Sequence, residues 1–171
     1  MEAVVKQVIS PVLLTLFLLF PLSVAAANAE FPLPDSLRPA VTFWTKVYTE
    51  ADTNSGFLHD AHDLSIIYRK LNRDRNTINS TREEIGEDLQ ILASGKRSGL
   101  TPSQQELLDL WGANTSNARL EQAADNIRWQ LGQSDRFIAG IKRSGAYRNH
   151  IESVINEKGM PVELAVLPHV E

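Results

Sequence analysis

The stretch Gly159-Met-Pro-Val-Glu-Leu-Ala-Val-Leu-Pro-His-Val-Glu171 carries a carboxylate at the end of an apolar helical pattern. Leu164, Leu167 and Glu171 stand at i, i+3 and i+7, so an α-helix puts the acid on the face of the leucines. A carboxyl group among apolar side chains is partly desolvated, which raises its pKa and keeps its proton near neutral pH. Such a group suits general acid chemistry. By residue chemistry alone, a solvated surface glutamate is the commoner outcome at such a position, because perturbed groups are the minority. His169, two residues before the acid, could line the same groove.

A second cluster is His59-Asp60-Ala-His62-Asp63, whose side chains are of the kind that ligate zinc. Neighbouring strand residues face opposite ways, however, and aspartate in a turn tends to bond its own backbone. With no third, distant ligand in view, the expectation is no metal site. His150 reads as a helix-surface group, and no G-x-S-x-G nucleophile motif is present. Trp44 and Trp111 fall among leucines at helical spacing and read as core. Trp129 falls off the face set by Ile127 and Leu131 and is the best candidate for an exposed or later-covered aromatic. Arg136, Lys142, Arg143 and Arg148 form a modest basic cluster, expected to be a solvated face.

The elements that must position these groups are mostly helical. Ser36 is placed to cap a helix through about Glu50, with Val41, Trp44, Val47 and Tyr48 on one face. Asp52-Thr-Asn-Ser-Gly56 is a turn. Two short apolar runs around a polar centre predict a β-hairpin near 56–69. From Leu71 onward the spacing predicts helices throughout: Leu71 to Leu92 stopped by Gly95, then one started by Thr101-Pro-Ser-Gln104 and carrying Leu107, Leu108 and Trp111. Leu120, Ala124, Ile127 and Leu131 predict another helix, Ser134 caps the next, and Tyr147 to Ile155 mark a last one ended by Gly159.

Residues 1–29 have the three parts of a secretory signal peptide: Lys6 in a short basic start, an apolar run from Val8 to Val24, and Ala27-Asn28-Ala29 as cleavage site. Pro11 and Pro21 argue against an uncleaved spanning helix. The expectation is export, with membrane contact only through this segment before cleavage. The chain has no cysteine, which excludes structural disulfides and lipid attachment through a cleavage-point cysteine. A formal net charge of −4 without a long basic run gives no electrostatic case for nucleic acid.

The sequence from Gly159 to Glu171 resembles the motif G-L-P-x-E-L-A-x-L-P-x-V-E-S of lytic murein transglycosylases of the membrane-bound D type. Ile127-Arg-Trp-Gln-Leu-Gly-Gln133, Asp135-Arg-Phe137 and Arg143-Ser-Gly-Ala-Tyr147 are similar to the lead-in of that family. Phe43-Trp-Thr-Lys-Val-Tyr-Thr49 and Leu58-His-Asp60 are similar to its amino-terminal extension. The family's serine after the glutamate, its glycine-rich tryptophan motif, its aromatic groove residues and its glycan-binding repeats are not among these 171 residues.

The resemblance implies a mainly α chain: a helical extension with one small hairpin over 30–144, then the first helix of a lysozyme-like domain over 145–171. It implies that Glu171 is the catalytic acid of a peptidoglycan lytic transglycosylase, with His169 and Trp129 as weaker substrate-binding candidates and with no metal or cofactor. Peptidoglycan glycan strands would be the partner, and the periplasm or cell envelope the location. Basic residues near the last helix could then meet peptide carboxylates of murein. Without the remaining groove, the 171-residue chain itself is expected to be an inactive fragment. The alternative is a noncatalytic exported helical module that binds the envelope or a partner protein.

Overall fold

The chain's first helix opens one residue later than a cap at Ser36 predicts, with Leu37 in the cap position. In the computed structural model, which describes residues 31–169 with side chains through Leu167, a 3-10 turn at Asp35–Leu37 runs into α1, Arg38–Thr49. Pro39 lies in the first turn, where its missing N–H costs nothing, and no side chain caps the helix. The leader expected over 1–29 lies outside the described residues, as does Glu171. Among the described residues, no helix is long and apolar enough to cross a membrane.

The hairpin falls where the alternation predicts it. Strand β1, Ser55–Asp60, pairs antiparallel with β2, Ile67–Asn72, with a register shift between Leu58 and His59. Leu71 belongs to β2, so the next helix, α2, starts only at Arg75 and runs to Ala93. Asp74 caps it by accepting from Thr77 N–H at 2.8 Å. Ile78, Ile85, Leu89 and Leu92 are its buried stripe. Helix α3, Pro102–Trp111, begins with the predicted reciprocal cap between Thr101 and Gln104, and α4 spans Asn117–Asp125.

One predicted helix is half wrong. The pattern Leu120, Ala124, Ile127, Leu131 is helical only to Asp125, and Ile127–Leu131 is a strand, β3. It pairs antiparallel with the free side of β1, giving a three-stranded sheet in the order β2-β1-β3. Five residues alternating Ile127, Trp129 and Leu131 with Arg128 and Gln130 satisfy the strand period as well as the helical one. The need for backbone partners on both sides of β1 decides the matter, since Gly56 to Asp60 are all buried.

Both faces of the sheet are covered. Phe57 packs with Phe43, Val47 and Ala51 beneath α1, while the next residue, Leu58, joins the larger core with Tyr68, Ile85, Leu89, Leu107, Leu120 and Ile127 beneath α2, α3 and α4. On α1 the buried residues are Phe43 and Val47, four apart, rather than the predicted face: Val41 and Trp44 are exposed, Trp44 at 41%. Helix α5, Ser134–Ser144, follows β3, with Gln133 rather than Ser134 in the cap position. Its Asp135 accepts from the Thr53 N–H at 3.0 Å and the Thr53 hydroxyl at 2.6 Å, tying α5 to the approach to β1. Helix α6, Arg148–Glu157, is the last α-helix described. The architecture is therefore mostly helical with a small antiparallel sheet, in one compact unit from Leu33 onward.

Candidate functional site

Two places bring chemistry-bearing side chains together. The first follows α6. Gly159 takes φ +64, a left-handed conformation that favours glycine, and the Gly159 and Met160 N–H groups close on the Asn156 and Ile155 carbonyls. Pro161 then leads into Val162–His169, a 3-10 rather than an α-helix. The helix stop and restart are as predicted. The winding is not, and at three residues per turn Leu164 and Leu167 share a face. Leu164 is half-buried, whereas Val162, Val166 and Leu167 are exposed. A cleft of about 180 Å³ separates this segment from α6, lined by Ser144, Arg148, Ile151, Glu152, Glu163 and Val166 among others. Arg148 Nε donates to Glu152 Oε1 at 2.7 Å, so the cleft holds one neutralised pair and one further carboxylate, Glu163. Such a lining can hydrogen-bond hydroxyl groups along an apolar floor. His169 ends this segment, its side chain outside the described residues.

The second place is the far end of the hairpin. Asp60 is fully buried, and its Oδ1 accepts from the His62 N–H at 2.9 Å, the Asp63 N–H at 2.7 Å and Arg119 Nη2 at 2.8 Å. The guanidinium of Arg119 lies over the Trp111 ring, 4.5 Å from its centroid. Tyr68 completes the group: burial pushes its phenol above the ordinary value and the Asp60 carboxylate adds to this, while Trp111 and Arg119 oppose. Asp60 bonds the turn backbone as an aspartate there should, and it also reaches Arg119, 59 residues away in the chain.

The His-Asp cluster is thereby taken apart. Asp60 serves the turn and Arg119, and Asp63 Oδ1 accepts from the Ser65 N–H at 3.0 Å. His59 is buried with Nδ1 2.9 Å from the Asp60 carbonyl and its ring 4.5 Å from that of Phe43, whereas His62 is exposed. Among the described residues no three His, Cys, Asp or Glu side chains converge as metal ligands would.

Burial lowers the His59 pKa below its ordinary 6.5, outweighing the neighbouring Asp60 carbonyl and carboxylate. The unfolded chain then binds the proton more tightly than the folded one, so stability is retained above about pH 6.5 and declines as pH falls towards the folded value. Urea midpoints measured at pH 7.5 and 5.0 are expected to fall with acid, and the fall is expected to shrink in His59→Gln. An unchanged slope in that variant would assign the effect elsewhere.

Trp44 and Trp129 exchange roles, while Trp111 packs against the larger core as expected. Trp129 is half-buried, packs against the larger core and lies across Gly56, so it is not a free stacking platform. Trp111 is also half-buried. Trp44 is the exposed indole, in a shallow apolar groove with Leu37, Val41, Tyr48 and Phe137 between α1 and α5. Arg136, Lys142, Arg143 and Arg148 are all exposed, as a solvated face should be.

Comparison with protein-family models, with curated proteins and with solved structures finds no match for this chain.

Proposed function

We propose that this chain belongs to an exported peptidoglycan lytic transglycosylase, in which a helical extension leads into a lysozyme-like catalytic domain from about residue 145. The observation that carries the reading is the order of events from Gly159 onward. A left-handed glycine stops α6, Pro161 restarts a helical segment, and that segment presents Val162, Val166 and Leu167 uncovered ahead of Glu171. Exposed apolar side chains of this kind are suited to be covered by further protein.

In this reading Glu171 protonates the glycosidic oxygen between N-acetylmuramic acid and N-acetylglucosamine. The muramoyl N-acetyl group supports the oxocarbenium ion as the bond breaks. Glu171, now a carboxylate, takes the proton from the muramoyl C6 hydroxyl, whose oxygen closes the 1,6-anhydro ring on C1. One enzyme carboxyl therefore does what two do in ordinary glycosidases. No metal or cofactor takes part in this scheme, and the glycan strand is the partner.

The test begins with the coding DNA past the codon for Glu171, expected to continue with serine and a helical, glycine- and aromatic-rich segment. The protein from the whole reading frame should release 1,6-anhydro-muropeptides from murein sacculi, detected by mass spectrometry. Glu171→Gln should lower that release by about three orders of magnitude, as expected for loss of a general acid. The 171-residue polypeptide should release none. A stop codon directly after Glu171, or full activity in Glu171→Gln, would remove the enzyme reading.

The second reading, a noncatalytic exported module, is favoured by the groove of Leu37, Val41, Trp44, Tyr48 and Phe137, an exposed apolar surface far in sequence from the terminal motif. Retention of the chain on sacculi without product, abolished by Trp44→Ser, would support it.

A further inference from the structure

Helix α1 carries two apolar faces, and the sheet uses one of them. Phe43 and Val47 are buried against Phe57, while Leu37, Val41, Trp44 and Tyr48 run along the other flank. These four are separated by four, three and four residues, the a/d spacing by which one helix packs along another. At about 100° per residue they fall within about 60° of arc. Leu37 is 52% exposed, Val41 46% and Trp44 41%, so the stripe has no cover of its own. The aromatic side of the groove is packed in place: ring centroids are 6.2 Å apart for Trp44 and Tyr48, and 5.3 Å for Tyr48 and Phe137 of α5.

The polar groups nearby select the partner. The charged residues from Asp35 to Glu50 close on one another, Arg38 Nε donating to Asp35 Oδ1 at 2.7 Å and Lys46 Nζ to Glu50 Oε1 at 3.1 Å. None of them lines the groove. Thr45 and Thr49 do, but their hydroxyls donate back to the Val41 and Thr45 carbonyls at 2.8 and 2.7 Å. The groove therefore offers no charge to a lipid headgroup or an acidic segment, and its threonine protons are already spent for a sugar. Its complement is an uncharged apolar helix face of the same spacing. A second α1 is such a face, because an uncharged apolar stripe turned end for end meets itself, as a twofold contact requires.

We propose that two copies of this chain associate through antiparallel α1 helices about a twofold axis between Val41 and Trp44. Val41 of each copy then meets Trp44 of the other, and Leu37 meets Tyr48. Five side chains, with Phe137, fall well short of the roughly 20–30 residues a side of a standard interface, so the dimer is weak and concentration-dependent. The inference uses only α1 and α5 and does not rest on the glycan-cleaving reading.

Sedimentation velocity on the full chain, from about 10 µM to about 1 mM, tests it in the range of a weak interface. The average mass is expected to move from one copy towards two. Val41→Glu should weaken association by at least about tenfold, since it places a carboxylate against Trp44 of the second copy. Val41 is half exposed in the monomer, so its urea midpoint should stay near that of the wild type. Thr42→Glu, outside the groove, and Val166→Glu, on the segment ahead of Glu171, should leave association unchanged. Orientation is read from nuclear Overhauser effects. Leu37 and Tyr48 are about 16 Å apart along one helix, so an effect between the Leu37 methyls and the Tyr48 ring arises only across an antiparallel pair. A monomer throughout the range, a dimer indifferent to Val41→Glu, or a dimer without the Leu37–Tyr48 effect would overturn the proposal. So would a monomer that murein sacculi retain through Trp44, which would give the groove to the glycan.

Discussion

Replacing Asp60 with alanine is expected to lower the stability of the fold by about 3 kcal/mol, the low end of the range for removing one partner of a buried ion pair. The low end applies because the Arg119 side chain is 27% exposed and can turn partly towards water. Asp60, by contrast, has no solvent access, and its loss strips the acceptor from Arg119 Nη2 and from the His62 and Asp63 N–H groups together. The hairpin loop and the start of α4 should loosen at once. Equilibrium urea unfolding reads the loss as a lower midpoint with little change in slope. Asp60→Asn, which keeps an acceptor for the backbone donors, should lose roughly half as much. In a double-mutant cycle, Asp60→Ala on an Arg119→Met background should cost less than on the wild type. Equal losses on the two backgrounds would mean that the pair is not coupled, and the account of the hairpin end given above would fail.

A comparable loss is expected from a much smaller change. A Cβ added at Gly132 would lie 2.3 Å from both the carbonyl carbon and oxygen of Ala51, which is itself buried. The contact cannot be relieved by a side-chain rotation, because the opposing atoms are backbone. The backbone there is also fixed: Gly132 N–H donates to the Ser55 carbonyl, Gln133 N–H to Val47 and Ser134 N–H to Ala51, each at 2.9 Å. These bonds join the end of β3 to α1 and to the turn before β1. Gly132→Ala is therefore expected to destabilise by about 3 kcal/mol, at the top of the usual overpacking range. Gly140→Ala is the control, since nothing lies within 4 Å of its added Cβ and the residue is inside α5. That change should stabilise by about 0.5–1 kcal/mol. Thermal midpoints of the two variants should move in opposite directions. If Gly132→Ala melts within a degree of the wild type, the close approach of β3 to Ala51 is wrong.

Both predictions depend on contacts that no local pattern announces. Gly132 follows a segment whose apolar spacing fits a helix, and in that setting it reads as a helix stop. Only the pairing of β3 with β1 turns it into a point of backbone-to-backbone contact. Arg119 likewise reads as an ordinary helix-surface cation until Asp60 is brought to it. The buried face of α1 differs from the expected one for a related reason. Val41, Trp44, Val47 and Tyr48 are bulky and periodic, yet Phe43 and Val47 are the residues that meet Phe57. Periodicity defines a stripe, but the sheet chooses which flank of the stripe it covers.

What the sequence determined alone is what a few neighbouring residues decide through their own hydrogen bonds and backbone preferences. The Thr101–Gln104 reciprocal cap, the left-handed stops at Gly95 and Gly159, the hairpin and the long buried stripe of α2 all belong to this class. Tertiary structure alone decided the strand at Ile127–Leu131, the half-burial of Trp129 and the meeting of Asp60 with Arg119. In each of these the local preference is nearly balanced. The free energy that tips it comes from pairing and burial against residues tens of positions away, which a reading of the chain in order does not contain.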